Sequence, residues 1–161
     1  MSMVFNKRTF NRPNEFFTDL LFPINNRKRL QEVKNKGLLS PAFRERLMLA
    51  VISVESCRYC SYFHSKLALK GGISPDEIGQ LLSGDFEGCP EDEAMAVLYA
   101  QHWAESNACP DPEAVRKLHE IYGSEKAEAI NLMLRMIRLG NLLGNTWDYF
   151  LYRITFGKWR R

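Results

Sequence analysis

The sequence lacks any run of about 18 apolar residues, the length that a membrane-spanning helix requires. Its first residues mix charges and asparagines with aromatic side chains, so they offer neither the apolar stretch nor the cleavage site of a signal peptide. Alternating polar and apolar residues, which would indicate β-strands, are missing as well. We therefore expect no membrane association, a cytoplasmic location and an all-α fold.

Cysteine and histidine are scarce, with four and three residues among 161. A chain of this length buries enough surface to fold without disulfides or a structural metal. In a reducing compartment, a small number of cysteines favours catalysis or metal binding over a disulfide framework. The positions of these few residues are therefore informative about function.

Charge is distributed unevenly although the net charge is only +3. Residues 1–48 carry ten Lys and Arg against four Asp and Glu (+6), residues 49–134 carry six against fourteen (−8), and residues 135–161 carry six against one (+5). Basic ends suit contact with the acidic middle of another subunit, although solvated faces would give the same pattern. The basic residues are scattered and no nucleic-acid motif accompanies them, so we expect no nucleic-acid partner.

Two regions differ in their local signals. Residues 1–25 contain Pro13, Pro23 and several asparagines, which predict an irregular N-terminal arm. Its phenylalanines are too many for a free tail, so we expect the arm to pack on the body or on a neighbouring subunit. Residues 26–161 carry helix signals throughout and predict a single helical domain of six to eight helices.

The helix that leads to the cysteines has the clearest start. Ser40 has the character of an N-cap and Pro41 suits the first helical position, so a helix should run to about Glu55. A second helix should run from near Cys57 to Lys70. The remaining helices are predicted at residues 26–36, 74–82, 89–106, 111–123, 125–143 and 147–156, with a break at Gly144–Asn145 between the last two.

Cys57, Cys60 and His64 form the most informative constellation. At 100° per helical residue the three side chains share one face, and Cys60 and His64 lie one turn apart. A dithiol with this spacing can close to a disulfide, and a helix N-terminus stabilises a thiolate. An imidazole beside a thiol can accept its proton, which is the pattern of an activated nucleophile.

Other interpretations of this constellation remain open at this point. The two cysteines and His64 could supply three zinc ligands, with a fourth from Cys89, Cys109, His102 or His119, in a zinc-stabilised or non-catalytic interaction protein. Structural zinc sites usually draw closely spaced pairs from separate elements, and no second pair is present. We favour the redox interpretation and expect no bound metal.

Glu45, followed twelve residues later by Cys57, Cys60 and His64, resembles the motif of the alkylhydroperoxidase D / carboxymuconolactone decarboxylase family. The resemblance is specific over about residues 40–83 and fainter to about residue 150. It implies an all-helical, oligomeric enzyme: a cofactor-independent peroxidase or disulfide reductase that acts on a peroxide or small disulfide and is restored by a reducing dithiol partner. A homo-oligomer, as a dimer, trimer or hexamer, is expected.

The resemblance also implies roles for individual residues. Cys60 would be the thiolate that attacks the peroxide, Cys57 would resolve it, and Glu45 and His64 would form a proton relay. The best-known peroxidases of the family have a second histidine between the cysteines, where this chain has Tyr59, whose phenol can still donate a hydrogen bond. The decarboxylase branch of the family acts on a lactone without this dithiol, so the dithiol argues against that alternative.

The other two cysteines receive structural interpretations. Cys89 and Cys109 each precede a proline at a predicted helix start, and we expect them to be structural or incidental thiols.

Overall fold

The computed structural model describes residues 5–159, and these residues form seven α-helices and no β-strand. The helices are α1 (Pro13–Asn25), α2 (Arg27–Asn35), α3 (Pro41–Glu55), α4 (Arg58–Lys70), α5 (Pro75–Ser83), α6 (Glu91–Glu105) and α7 (Pro112–Ile154). The all-α class and the predicted range of six to eight helices are confirmed. None of the helices within residues 5–159 combines the length and apolar character needed to cross a membrane.

Helix α3 lies at the centre of the fold. It packs against α4, α5, α6 and α7, and ten of its fifteen residues are buried. A helix that is apolar on nearly all sides belongs in the interior of a domain, and α3 provides Leu47, Leu49 and Val51 to the core. The predicted cap is confirmed, since the hydroxyl of Ser40 accepts a hydrogen bond from the Phe43 amide at 3.0 Å. Glu45, on the same helix, is thereby fixed inside the protein.

The prediction of an irregular N-terminal arm is wrong for residues 13–25, which form α1. Pro13 occupies the first helical position, where the missing N–H costs nothing, and Pro23 lies in the last turn. The prolines therefore mark the ends of a helix instead of preventing one. Residues 1–4 of the predicted arm lie outside the described residues, and the division of the chain at residue 25 stays a prediction.

Residues 5–12, which precede α1, pack on the body of the protein. This is one of the two arrangements expected for the arm. Phe5 contacts the rings of Tyr149 and Tyr152, and the amide of Phe10 donates to Thr146 Oγ1 at 3.1 Å. Arg8 donates to backbone carbonyls at the end of α6. We call residues 5–12 the N-terminal strap, because they join the C-terminal half of α7 to the end of α6.

Helix α7 confirms one predicted helix boundary and contradicts another. The predicted boundary at Gly123 is confirmed as a kink, since Gly123 has the non-helical values φ 73° and ψ 161° and two helical segments meet there. The predicted break at Gly144–Asn145 is wrong, because the helix continues through both residues. Gly144 does not break the helix; its missing side chain allows the sulfur of Cys57 to approach α7.

Gly123 provides a test of the backbone geometry. Its φ and ψ are essentially restricted to glycine, so Gly123→Ala should lower the free energy of unfolding by about 1–3 kcal/mol. The matched control is Gly79→Ala in the middle of α5, where a Cβ would also meet nothing within 4 Å. That change should raise stability by about 0.5–1 kcal/mol. Denaturant unfolding followed by circular dichroism measures both, and an unchanged Gly123→Ala protein would contradict the assigned kink.

Candidate functional site

The two cysteines lie at the start of α4, directly after a tight turn. Ser56 adopts the left-handed conformation with φ 56°, and this reverses the chain between α3 and α4. Cys57 is the N-cap of α4, and its Sγ accepts a hydrogen bond from the Cys60 amide at 3.5 Å. The predicted helix start near Cys57 is confirmed. Because backbone N–H groups at a helix N-terminus favour a negative charge, this position favours a thiolate.

Both sulfur atoms face glycines of α7. A Cβ built at Gly144 would lie 2.6 Å from Cys57 Sγ, and one built at Gly140 would lie 3.6 Å from Cys60 Sγ. Position 144 therefore has room only for glycine unless Cys57 moves, whereas position 140 is in ordinary van der Waals contact. The close approach leaves Cys57 fully buried, while Cys60 stays partly exposed.

The two thiols differ in acidity as well as in exposure. A hydrogen bond from the Cys60 thiol, together with the backbone amides of Cys60 and Tyr59 and the charge of Lys7, lowers the pKa of Cys57 to about 6 against the effect of burial. The same hydrogen bond, together with burial, raises the pKa of Cys60. The hydrogen bond between the two thiols therefore favours the negative charge on Cys57 and the proton on Cys60.

Cys60 opens into a cavity of about 370 Å³. The lining is mostly aliphatic, thioether and aromatic, and consists of Met48, Tyr59, Cys60, Phe63, His64, Met136, Ile137 and Gly140. His64 is the only lining group with an ordinary basic nitrogen. A small molecule that enters this cavity meets Cys60 and His64 but not the sulfur of Cys57.

Glu45 and His64 meet, as the family resemblance implied. His64 Nδ1 lies 2.7 Å from Glu45 Oε2, and the carboxylate is almost fully buried. The other carboxylate oxygen accepts from Arg44 Nε at 3.2 Å, so a pairing with the neighbouring arginine exists too. With Nδ1–H donated to the carboxylate, Nε2 keeps its lone pair and can accept a proton. The catalytic roles of both residues stay predictions.

Tyr59 lines the cavity, but Asp148 of α7 binds its hydroxyl group. The phenol donates to Asp148 Oδ1 at 2.9 Å and accepts from Arg58 at 2.8 Å. The expected donation of this hydroxyl to the reacting groups is therefore replaced by donation to a buried carboxylate. Tyr59 forms a wall of the cavity and ties the first turn of α4 to α7.

The remaining predicted residues lie apart from this site. Cys89 is half-buried, and burial raises its pKa, whereas Cys109 is exposed. His102 pairs with Asp111 at 2.8 Å on the surface. Within residues 5–159 no group of three or more His, Cys, Asp or Glu side chains is arranged to hold a metal ion. The zinc alternative therefore finds no ligand set among the described residues.

Four further residues shape the site in ways that were not predicted from the sequence, namely Lys7, Gly140, Gly144 and Asp148. Gly140, Gly144 and Asp148 are spaced four residues apart, so they share one face of α7. That spacing is visible in the sequence, but only the packing of α7 on α4 shows that this face lies against the dithiol. Nothing in the sequence pattern points to Lys7.

Comparisons with known proteins give one match. A family model described as the carboxymuconolactone decarboxylase family matches residues 24–104. No curated protein and no solved structure gives a significant match. The matched residues make up half of the chain and include Glu45, both cysteines of the dithiol and His64. By this match, and with the helical fold that the resemblance implied, the chain belongs to the carboxymuconolactone decarboxylase family.

Proposed function

We propose that the protein is a thiol-dependent peroxidase or disulfide oxidoreductase that works through Cys57 and Cys60. The observation that carries the proposal is the arrangement of one reachable thiol over one buried, acidic thiol, with the Glu45–His64 pair beside the reachable one. The family also contains lactone decarboxylases. A decarboxylase would have no use for a dithiol that shares a proton, and this favours redox chemistry.

The first step concerns Cys60, because accessibility decides which sulfur meets the substrate. His64 accepts the Cys60 proton as the sulfur attacks the terminal oxygen of a hydroperoxide, so that no second free thiolate forms beside that of Cys57. The O–O bond breaks, Cys60 becomes a sulfenic acid, and the alkoxide leaves as an alcohol after it takes the proton from His64. The Glu45 carboxylate stabilises the imidazolium formed in between, as the acidic member of a triad does.

The second step uses the thiolate already present on Cys57. It attacks the sulfur of the Cys60 sulfenic acid, the S–O bond breaks, and hydroxide leaves and is protonated to water. The product is the Cys57–Cys60 disulfide, so the two electrons that reduced the peroxide come from the dithiol. A reducing dithiol partner then restores both thiols by exchange. Such a cycle suits a reducing, cytoplasmic setting, needs no metal or other cofactor, and also admits a small disulfide as the substrate.

We further propose that the protein assembles with copies of itself through α1. Four apolar side chains on one stripe of α1 are exposed, namely Phe17, Leu20, Leu21 and Ile24. A contiguous apolar stripe on a surface helix usually marks an interface. Another copy of the chain is the occupant that the charges favour, because the basic ends of one copy complement the acidic middle of the next.

Oxidation tests the dithiol. After mild peroxide treatment, peptide mapping should find Cys57 and Cys60 joined within one chain, with Cys89 and Cys109 still free. The reason is that the pKa of Cys57 is lowered to about 6 and that Cys60 lies within hydrogen-bonding reach of it. In the matched Cys60→Ser variant no intrachain disulfide should form. Peroxide-treated protein in which both Cys57 and Cys60 remain free thiols would refute the redox function.

Replacement of Glu45 tests the proton relay. Glu45→Gln keeps the shape of the side chain and removes the charge that stabilises protonated His64, so peroxide reactivity should fall roughly 10²-fold. His64→Ala should cost at least as much, and the double variant should be little worse than either single variant. Stopped-flow peroxide consumption as a function of pH measures all three.

The matched control for this test is Glu77→Gln. Glu77 is also a mostly buried carboxylate, but it pairs with Arg46 at 2.6 Å in another part of the fold. Its replacement should change stability and leave peroxide reactivity within about twofold of the parent. An unchanged pH–rate profile in Glu45→Gln would remove Glu45 from the mechanism.

Light scattering tests the assembly. The measured mass at micromolar concentration should be a multiple of 18.7 kDa, as expected for a dimer, trimer or hexamer. The double variant Leu21→Glu/Ile24→Glu should shift the protein to monomers, because charges would be buried in the interface. Leu98→Glu, at an exposed leucine of α6, is the control and should not change the mass. A monomeric parent protein would contradict the proposal.

A further inference from the structure

The N-terminal strap brings one positive charge into the interior near the dithiol. Lys7 lies between Phe5 and Phe10, which fix the strap against the C-terminal half of α7. The side chain of Lys7 is only 11% exposed, and its ammonium group lies 3.6 Å from Asp148 Oδ2. A lysine this well covered is unusual on a segment without regular structure, so its position calls for a physical reason.

Asp148 is the group that holds Lys7 in place. The carboxylate is buried, and it also accepts from Arg58 at 2.7 Å, from the Tyr59 hydroxyl at 2.9 Å and from the Trp159 indole at 3.3 Å. Arg58 and Tyr59 are the two residues between the cysteines. One carboxylate therefore connects the N-terminal strap, the first turn of α4 and Trp159.

The same helix face places Lys7 close to Cys57. Gly144, whose missing side chain accommodates Cys57 Sγ, lies one turn before Asp148 on α7. Lys7 and the residue that follows Cys57 bind the same carboxylate. These contacts place the ammonium group beside the first turn of α4, the helix whose N-cap is Cys57.

We propose that Lys7, held by Asp148, is the cation that stabilises the Cys57 thiolate, and that the N-terminal strap is therefore part of the active site. Lys7 touches no substrate in this proposal; it is a positioning residue that acts through the charge on Cys57. The inference deepens the proposed function, since it concerns the acidity of the same dithiol.

The other charges around Cys57 do not replace Lys7. Arg58 turns its guanidinium toward Asp148 and over the ring of Trp159, and its side chain is 33% exposed and so more strongly screened by solvent. Glu55, at the end of α3, directs its carboxylate to Arg8 and Arg138 at 3.4 and 3.3 Å. Lys7 is the side chain whose charge acts on Cys57 and lowers its pKa, so its removal would take that contribution away.

The test measures thiolate formation and the dithiol equilibrium without any peroxide. In a Cys89→Ser/Cys109→Ser background, far-ultraviolet absorbance follows the first deprotonation of the pair, and equilibration with glutathione gives the ratio of dithiol to disulfide. Lys7→Met should raise the pKa of Cys57, and at neutral pH the dithiol-to-disulfide ratio should fall about threefold to tenfold. Lys7→Arg keeps the charge and should restore both values.

The pH dependence separates electrostatics from a structural effect. A group whose pKa is lowered gains its benefit only where it is ionised, so the parent and Lys7→Met should converge below about pH 4.5, where both thiols are protonated. Lys36→Met, which removes the ammonium of the surface ion pair with Glu125, is the matched control and should behave as the parent. If Lys7→Met folds poorly, Lys7→Gln serves as the second variant.

Coincident titration curves for the parent and a folded Lys7 variant would overturn the inference, as would a difference that persists at every pH. Neither outcome would bear on the peroxidase proposal, which depends on substrate turnover. Conversely, a protein that consumes no peroxide could still show the expected shift in thiolate formation. The two proposals therefore succeed or fail separately.

Discussion

Gly140, Gly144 and Asp148 occupy successive turns of one face of α7, and this face packs against the first turn of α4. Because Gly144 has no side chain, Cys57 can lie directly against the α7 backbone and be removed from solvent. Asp148, one turn further, binds both residues between the cysteines. Two features of α7 therefore fix the dithiol. The missing side chain of Gly144 leaves room for a sulfur, and the buried carboxylate of Asp148 holds the first turn of α4.

Buried charge near the site is balanced group by group. Glu55 is buried, which raises its pKa, while Arg8 and Arg138 act in the opposite direction. The amide of Asn145 donates to the Glu55 carbonyl at 2.8 Å, so α7 also fixes the end of α3 just before the turn at Ser56. Removal of one partner from a buried ion pair leaves the other charge uncompensated and lowers the free energy of unfolding by about 3–5 kcal/mol. The acidity of Cys57 thus depends on neighbours whose own charges are already compensated.

Local sequence signals were enough to predict the parts of the site that lie close together in the chain. Ser40 and Pro41 fixed the start of α3, and the turn near Ser56 then brought Glu45 opposite His64. The prediction failed where a residue's role depends on a distant partner. The sequence around Gly144 predicts a helix break, yet Gly144 is the residue that contacts the sulfur of Cys57, 87 residues earlier in the chain. The two prolines of the arm predicted a loop, but Pro13 and Pro23 lie in the first and last turns of α1. Local propensity cannot distinguish these cases, because tertiary packing decides between them.

Acidity and accessibility are divided between the two cysteines, and this division determines what the pair can do. If the acidic thiol were also the exposed one, it would react with any electrophile that entered the cavity. Instead the hydrogen bond to Cys57 raises the pKa of the more accessible Cys60, so in the proposed mechanism a base must take its proton as it attacks. His64, oriented by Glu45, lines the same cavity and can accept that proton. In the proposed cycle, the reaction of Cys60 removes its hydrogen bond to Cys57, and the buried thiolate is then the adjacent nucleophile. The order of the two proposed steps thus depends on which of the two sulfurs holds the shared proton at the start.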